Sequence, residues 1–370
     1  MSQGINKIFF PHDNKPEHFK ELDGLRGIAV IFVLLSHASN ESLYFLPFLN
    51  FSGVGKIGVF LFFVLSAYLL DRQIAIAFMS GKSSPIYWKN YFLRRFLRIF
   101  PLFIIALFLY AVLSTYGYNT EIDFKNIWHH IVFLQGESVF WSIPVEFKYY
   151  FLSPLIIWVF NKYFHWNIKN IAILIAVLIV ISIAIQIIFR FSTISTFRFL
   201  PIFLVGTLIS IYELLNKEFF EKGISKQMYT FLTVASLGII FVSIPYYFEL
   251  ITGRWMVFHN PVFYLPFAFV WGSLLLSSKY NKGVFSSFLR IKFLRFIGTI
   301  SFSLYLFHMP VLLIVKDLGV IGSGFKIYIF FIFAILISAL SFLIIERPLS
   351  KIKIYKHRLT EKEIKTAKAG

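Results

Sequence analysis

Apolar stretches close to 20 residues long recur throughout this chain, and about 20 residues is what a helix needs to cross the roughly 30 Å hydrocarbon core of a bilayer. Seven such runs are plain: Pro144 to Phe160, Ile171 to Phe189, Phe199 to Tyr212, Met228 to Tyr247, Val262 to Leu276, Phe296 to Val315 and Ile327 to Ile345. Three earlier runs, Leu22 to Ser39, Val54 to Leu70 and Ile99 to Leu113, are shorter or interrupted by polar residues. Apolar residues make up 58% of the 370, charged residues only 15%, and 48 are phenylalanine. A soluble fold could not hide that much apolar surface. The expected fold class is therefore all-α, a polytopic membrane protein with about ten transmembrane helices. Short, polar-interrupted spans belong where helices line a protein-enclosed cavity, so the first three are the place to look for a site.

Orientation follows from the tendency of cytoplasmic loops to retain positive charge. With the N-terminus inside, the inner segments hold 28 Lys and Arg residues and the outer connections, which include Arg190, hold 7. Both termini are expected in the cytoplasm, and Lys148 is left over inside a span. The expected organisation is a cytoplasmic segment 1–20, a transmembrane domain 21–348 and a basic tail 349–370 along the inner membrane surface. The stretch from Asp71 to Arg98 reads as a cytoplasmic loop. Residues 1–24 are polar and charged, unlike a secretory leader. The net charge of +18 flanks apolar runs, where it faces lipid headgroups rather than nucleic acid. The absence of cysteine rules out disulfides and thiol nucleophiles.

Charged side chains at membrane depth are costly enough to be functional candidates, against which stands helix-end snorkelling or interhelical pairing. Arg26 and His37 are 11 positions apart, which on a helix is three turns plus some 20 degrees and a rise of roughly 16 Å. They share a face, giving a polar stripe from the inner interface to about mid-membrane. Asp23 can pair with Arg26 across one turn. His37, among Leu34, Leu35 and Ser36, is a candidate general base because its unperturbed pKa lies near neutrality. Arg26 alone could equally be an interfacial anchor. Arg95 and Arg98, spaced by three, could clamp phosphates as forked donors, or serve only as positive-inside anchors. Glu146 follows Trp141 and Ser142 and precedes Tyr150; it could orient a sugar hydroxyl or a histidine, or belong to an interfacial aromatic belt. His308 could be a second site residue or a structural histidine. Glu346 would close the last helix as a cap or salt bridge. His129 and His130 read as loop histidines, and no spacing resembles a metal site or a phosphate loop.

Several of these pieces together resemble the acyltransferase family 3 membrane proteins, bacterial enzymes that O-acylate cell-surface glycans. Leu22-Asp23-Gly24-Leu25-Arg26-Gly27 leading to His37 resembles the family's signature of a basic residue, ten intervening residues and a histidine. Phe60 to Ser66 resembles the second-helix motif, although Ala67 stands where the family usually has glycine. Arg95 to Arg98, Trp141-Ser142 with Glu146 and Tyr150, Ser303 to Pro310 including Tyr305 and His308, and Glu346-Arg347-Pro348 resemble further motifs in order. The resemblance spans Leu22 to about Pro348.

The resemblance implies an acyl-CoA co-substrate, usually acetyl-CoA, rather than a permanently bound cofactor. It implies a glycan or lipid-linked saccharide acceptor and a bacterial inner-membrane location. His37 and Glu146 would be catalytic, Arg26, Arg95 and Arg98 would hold the donor, and Asp23, Trp141, Ser142, Tyr150, Tyr305, His308 and Glu346 would support them. Many relatives carry an additional soluble hydrolase-like domain; this chain is expected to be the stand-alone form, working alone or with a separate periplasmic or extracellular acyl-transfer partner. A transporter or flippase for a lipid-linked glycan is the rival, but it predicts inverted repeats and paired broken helices, which the sequence does not display. A structural or sensory subunit would leave the alignment of Arg26 with His37 unexplained.

Overall fold

The computed structural model describes residues 8–11, 13, 18–46, 48–189, 191–256, 263–319 and 323–352. Arg190, the outer-loop residues 257–260, Val262, most of the N-terminal segment and the tail from 353 lie outside them. Twelve principal helices are α1 (Lys20–Asn40), α2 (Gly55–Met79), α3 (Pro85–Thr115), α4 (Ser142–Lys162), α5 (Ile168–Phe189), α6 (Thr196–Leu215), α7 (Lys226–Val242), α8 (Pro245–Thr252), α9 (Tyr264–Tyr280), α10 (Lys292–Thr299), α11 (Ser301–Lys316) and α12 (Ser323–Ser341). No strand occurs among the described residues.

Among the described residues, seven helical segments are long and apolar enough to cross a membrane, and nine if each of two bent pairs counts as one span. The pairs are α7 with α8, bent by 80°, and α10 with α11, bent by 78°. The first break falls at Pro245, whose ring cannot continue a helix and which instead starts α8. Both breaks correct the sequence reading, in which residues 228–247 and 296–315 were continuous. Both also lie in the second half of the chain, so they are not the matched pair a transporter of inverted repeats would show. The remaining apolar run became α9, which has 17 residues.

The stretch from Asp71 to Arg98 is not a loop. α2 continues to Met79 and α3 begins at Pro85, leaving residues 80–84 as the connection. Ser84 caps α3 by accepting from the Tyr87 amide at 3.3 Å, and Pro85 occupies the first helical position. The charges within 71–98 lie on the end of α2 and the start of α3: Asp71 is buried by protein, while Lys89, Arg94 and Arg98 are exposed.

α2 and α6 form the centre. In each, 67% of the apolar window is buried, against 28% for α5 and the α12 segment. α1 packs between α2 and α10, and glycines permit the approach. A Cβ on Gly27 would lie 2.3 Å from the Leu294 carbonyl oxygen, and one on Gly298 would lie 1.9 Å from that of Asp23. The glycines of the Asp23-to-Gly27 motif therefore set helix separation. Ala67, where the resemblance expects glycine, faces Gly206 on α6; a Cβ there would come within 2.9 Å of the Ala67 methyl. Gly206 thus permits the close α2–α6 contact beside Ala67.

Two buried polar clusters tie this centre together. The fully buried Asp71 carboxylate accepts from Tyr149 at 2.7 Å, from Thr207 at 2.5 Å and from Ser153, joining α2, α4 and α6. Glu213 accepts from Arg72 at 2.6 Å, Lys279 at 2.8 Å, Tyr68 at 3.0 Å and Tyr280. Carboxylates buried this deeply persist only when their lone pairs are met.

Candidate active site

Helical spacing aims a set of side chains at one pocket. Ser142, Glu146 and Tyr150 recur every four positions on α4, Phe62 and Ser66 do the same on α2, and Ser301 and Tyr305 on α11, so each trio or pair presents one face. With Arg26 from α1 and Arg98 from α3 they line a common pocket, closed by Val59, Phe63, Ile99, Ile143 and Phe302. About 60 Å³ lies within reach of the centres of water-sized molecules. That is several waters' worth, enough for a narrow chain and too little for a whole nucleotide.

Glu146 anchors the polar wall. Its Oε1 accepts from Ser66 at 2.5 Å and from Tyr150 at 2.7 Å. Tyr150 in turn lies under the Arg95 guanidinium, 5.5 Å from the ring centroid, and its carbonyl accepts from Tyr91 at 2.9 Å. Arg95 also donates to Gln73 at 3.3 Å, while Arg98 is exposed at the pocket rim. Arg26 has no hydrogen-bond or ion-pair partner among the described residues, and feels Arg98, Asp23, Glu146 and Tyr150 only through space. An unpaired guanidinium facing a cavity is a ready anion receptor.

Asp23 does not neutralise it. Its carboxylate accepts from Arg295 at 3.3 Å and lies 2.9 Å from His18 Nε2, so the expected pairing across one turn is replaced by one between α1 and α10. The close α1–α10 packing puts the longer Arg295 side chain within reach of Asp23, and Arg26 is left to the pocket. Asp13, His18 and Asp23 lie close enough together to hold a metal ion, a grouping the spacing did not disclose; there Arg295 bonds both carboxylates and supplies the cation.

His37 is separate from this pocket. α1 ends at Asn40, which places His37 in its last turn, so the polar stripe runs most of the helix length and not to its middle. Its ring lies beside that of His308, with centroids 5.1 Å apart, and His308 lies 6.1 Å from the ring of Tyr305. Tyr305 lines the pocket, accepts from Ser142 at 2.9 Å and donates to the Val139 carbonyl at 2.7 Å. Trp141 backs the wall, 6.0 Å from Phe63 and 5.0 Å from Phe199. Glu346 accepts from Ser303 and closes a π-helical turn, residues Phe342–Glu346, after α12.

The structure thus gathers Arg26, Arg98, Ser142, Glu146, Tyr150 and Tyr305 around one pocket, with Arg95 and Trp141 against it. His37 and His308 form a neighbouring pair, and Asp23 and Glu346 do not line the pocket, although Asp23 acts on Arg26 and Glu346 on Arg98 through space. Ser66 was overlooked as a site residue, although a hydroxyl in the apolar run Phe60 to Leu70 was a signal. His130 is likewise not a loop residue: it is buried in the short helix Ile127–Ile131, with Nε2 3.1 Å from Glu137. Burial pushes its pKa below the usual histidine value, against the opposing pull of Glu137.

Among curated proteins, the chain is 25% identical to the O-acetyltransferase OatA of Staphylococcus aureus, a match covering 91% of this chain and 58% of that protein. The peptidoglycan O-acetyltransferase OatA of Listeria monocytogenes is 27% identical over 44% of this chain and 27% of its own length. Protein 2 in the picA locus of Rhizobium radiobacter is 34% identical over 29% of this chain and 54% of its own. The chain spans a little over half the length of the staphylococcal relative. No solved structure matches it. The family model described as an acyltransferase domain matches residues 19–346, from the start of α1 to the turn that ends at Glu346, and the chain belongs to that acyltransferase family, family 3.

Proposed function

We propose that this protein is a membrane O-acyltransferase, moving an acyl group, acetyl in the first instance, from cytoplasmic acyl-CoA to a hydroxyl of a surface or lipid-linked glycan. The observation that carries this reading is the arrangement along α1: an unpaired Arg26 in a narrow polar pocket at one end, and His37 beside His308 about 16 Å farther along. Arg98 at the rim and Arg95 beside it receive the phosphates of the donor, whose bulk exceeds the pocket and stays outside. Its thin pantetheine arm enters past Arg26 and Tyr150 toward His37. There His37 removes the proton from the acceptor hydroxyl, the oxygen attacks the thioester carbonyl, the carbon–sulfur bond breaks, and the proton passes to the departing thiolate. In the relay variant the His37 nitrogen attacks the thioester carbonyl and expels the thiolate; the acceptor oxygen then attacks the acyl-imidazole, the carbon–nitrogen bond breaks, and the hydroxyl proton passes to the thiolate. Glu146, held by Ser66 and Tyr150, orients the incoming group.

The reading places the protein as a multi-pass protein of the bacterial inner membrane, with ten spans, both ends cytoplasmic, residues 21–348 as the transferase unit and the basic tail on the inner surface. A separate extracellular acyl-transfer partner would receive the group where the glycan lies beyond reach. The O-acetyltransferase names of its relatives support the acetyl choice.

The test is transfer of labelled acetyl from acetyl-CoA to surface polysaccharide in membranes containing the wild type or His37→Ala. Loss of transfer at equal protein level is expected; substantial retained transfer would sink the proposal. Label left on the denatured wild-type protein without acceptor marks the relay, and its absence marks direct attack.

A further inference from the structure

A second concavity lies on the face of α4 opposite Glu146 and Tyr150. Lys148 is two positions from each, about 200 degrees around the helix, and it opens onto a groove of about 500 Å³ between α4 and the connection from α5 to α6. The groove combines polar and apolar lining. Lys148, Ser192 and Ser195 supply the polar atoms; the apolar wall is Phe151, one turn farther along α4, Leu155, about two turns farther, and Phe197 from the start of α6. These three are 61%, 52% and 56% exposed, which along apolar spans means exposed to lipid.

The Lys148 ammonium contacts the Ile194 carbonyl at 3.4 Å and has no acidic partner among the described residues. Among the described residues, no Asp or Glu lines the groove. A cation near the end of a membrane helix, with two hydroxyls beside it and an apolar channel running along the span, matches one chemistry: a phosphate diester at the interface carrying a hydrocarbon chain toward the bilayer centre.

We infer that this groove is a binding site for an anionic membrane phospholipid, its phosphate on Lys148, Ser192 and Ser195 and one acyl chain against Phe151, Leu155 and Phe197. Negative charge on the lipid is required because the groove supplies a cation and no anion; a zwitterionic headgroup would bring its own ammonium toward Lys148. The occupant is a bilayer lipid and not the glycan carrier, since the groove opens on the side of α4 away from the Glu146 pocket. A bound lipid would brace α4 against the α5–α6 connection, where Thr196 already donates to the Val145 carbonyl at 3.0 Å.

The test is native mass spectrometry of the full chain titrated with phosphatidylglycerol, phosphatidylcholine or an isoprenoid phosphate. Phosphatidylglycerol is expected to be retained preferentially. Lys148→Gln should bind it about tenfold more weakly, the loss of one charge-assisted hydrogen bond, and Lys148→Arg should keep it. Leu155→Trp, which fills the groove at its apolar wall and leaves the charge, should also weaken it, so the idea stays testable if the glutamine variant fails to fold. Equal retention of phosphatidylcholine, unchanged binding in both Lys148→Gln and Leu155→Trp, or displacement by the isoprenoid phosphate would each overturn the assignment. The readout is independent of acyl transfer.

Discussion

His308 packs against His37 with ring centroids 5.1 Å apart, and it does so with one nitrogen committed and one free. Its Nδ1 lies 3.1 Å from the Leu304 carbonyl. A carbonyl only accepts, so Nδ1 carries a proton, and in the neutral ring Nε2 is then an acceptor. That Nε2 is buried with no hydrogen-bond partner among the described residues. The backbone of α11 thus sets the tautomer of a histidine adjoining the proposed base.

His308 as a positioning residue for His37 predicts that His308→Gln lowers kcat about 10- to 100-fold, the loss expected when an acid–base group is misplaced, with KM for the donor little changed. The measurement is steady-state transfer with purified protein in lipid. A purely structural His308 would instead reduce protein yield and leave the kcat of the folded fraction intact.

Ser66 tests the wall of the pocket. Ser66→Ala removes one of the two hydroxyls that Glu146 accepts, and a hydrogen bond to a charged group is worth about 1.5–3 kcal/mol. Transfer should fall about 10- to 100-fold, while Ser66→Thr, which keeps the hydroxyl, should retain more activity than alanine. Equal loss in both variants would show that packing, and not the bond to Glu146, is what matters there.

The α2–α6 seam makes a compensation prediction. Gly206→Ala drives a methyl against Ala67 and the Val64 carbonyl and should destabilise the protein by about 1–3 kcal/mol, as overpacking does. Adding Ala67→Gly should recover part of that loss. Thermal unfolding of the single and double variants in detergent decides it; strictly additive losses would mean the two positions are not coupled.

Asp13, outside the spans, gives a pH dependence. Burial pushes its pKa up, but the hydrogen bond and charge of Arg295, with Lys20 and His18, outweigh this and hold the carboxyl below its ordinary 3.8. A depressed pKa in the folded state means that docking stability is present above the unfolded value and is lost as pH falls through the folded one. Protease cleavage of the N-terminal segment should therefore be unchanged between pH 7 and 5 and should rise below about pH 4, and Asp13→Asn should show that higher cleavage already at neutral pH. A flat profile in the wild type would refute the docking role.

Membrane character and most of the pocket were legible in the residues. Runs of 17 to 20 apolar residues permit little besides a span, and the four-residue recurrence of Ser142, Glu146 and Tyr150 places them on one face of any helix. The spacing of Arg26 and His37 likewise put them on one face before any contact was known. What the residues could not disclose was partnership between distant segments. Asp23 was equally able to serve Arg26 or Arg295, and only the close α1–α10 packing through Gly27 and Gly298 assigned it to Arg295. Asp71 and Arg72 read as loop charges because hydropathy cannot distinguish water from a buried partner; Tyr149, Ser153 and Thr207 around Asp71, and Glu213 beside Arg72, come from helices far along the chain. The local pattern determined which faces are polar, since that depends only on helical pitch. Tertiary structure decided which polar groups are satisfied and which, like Arg26 and the Nε2 of His308, are left open, since that depends on what the other helices bring.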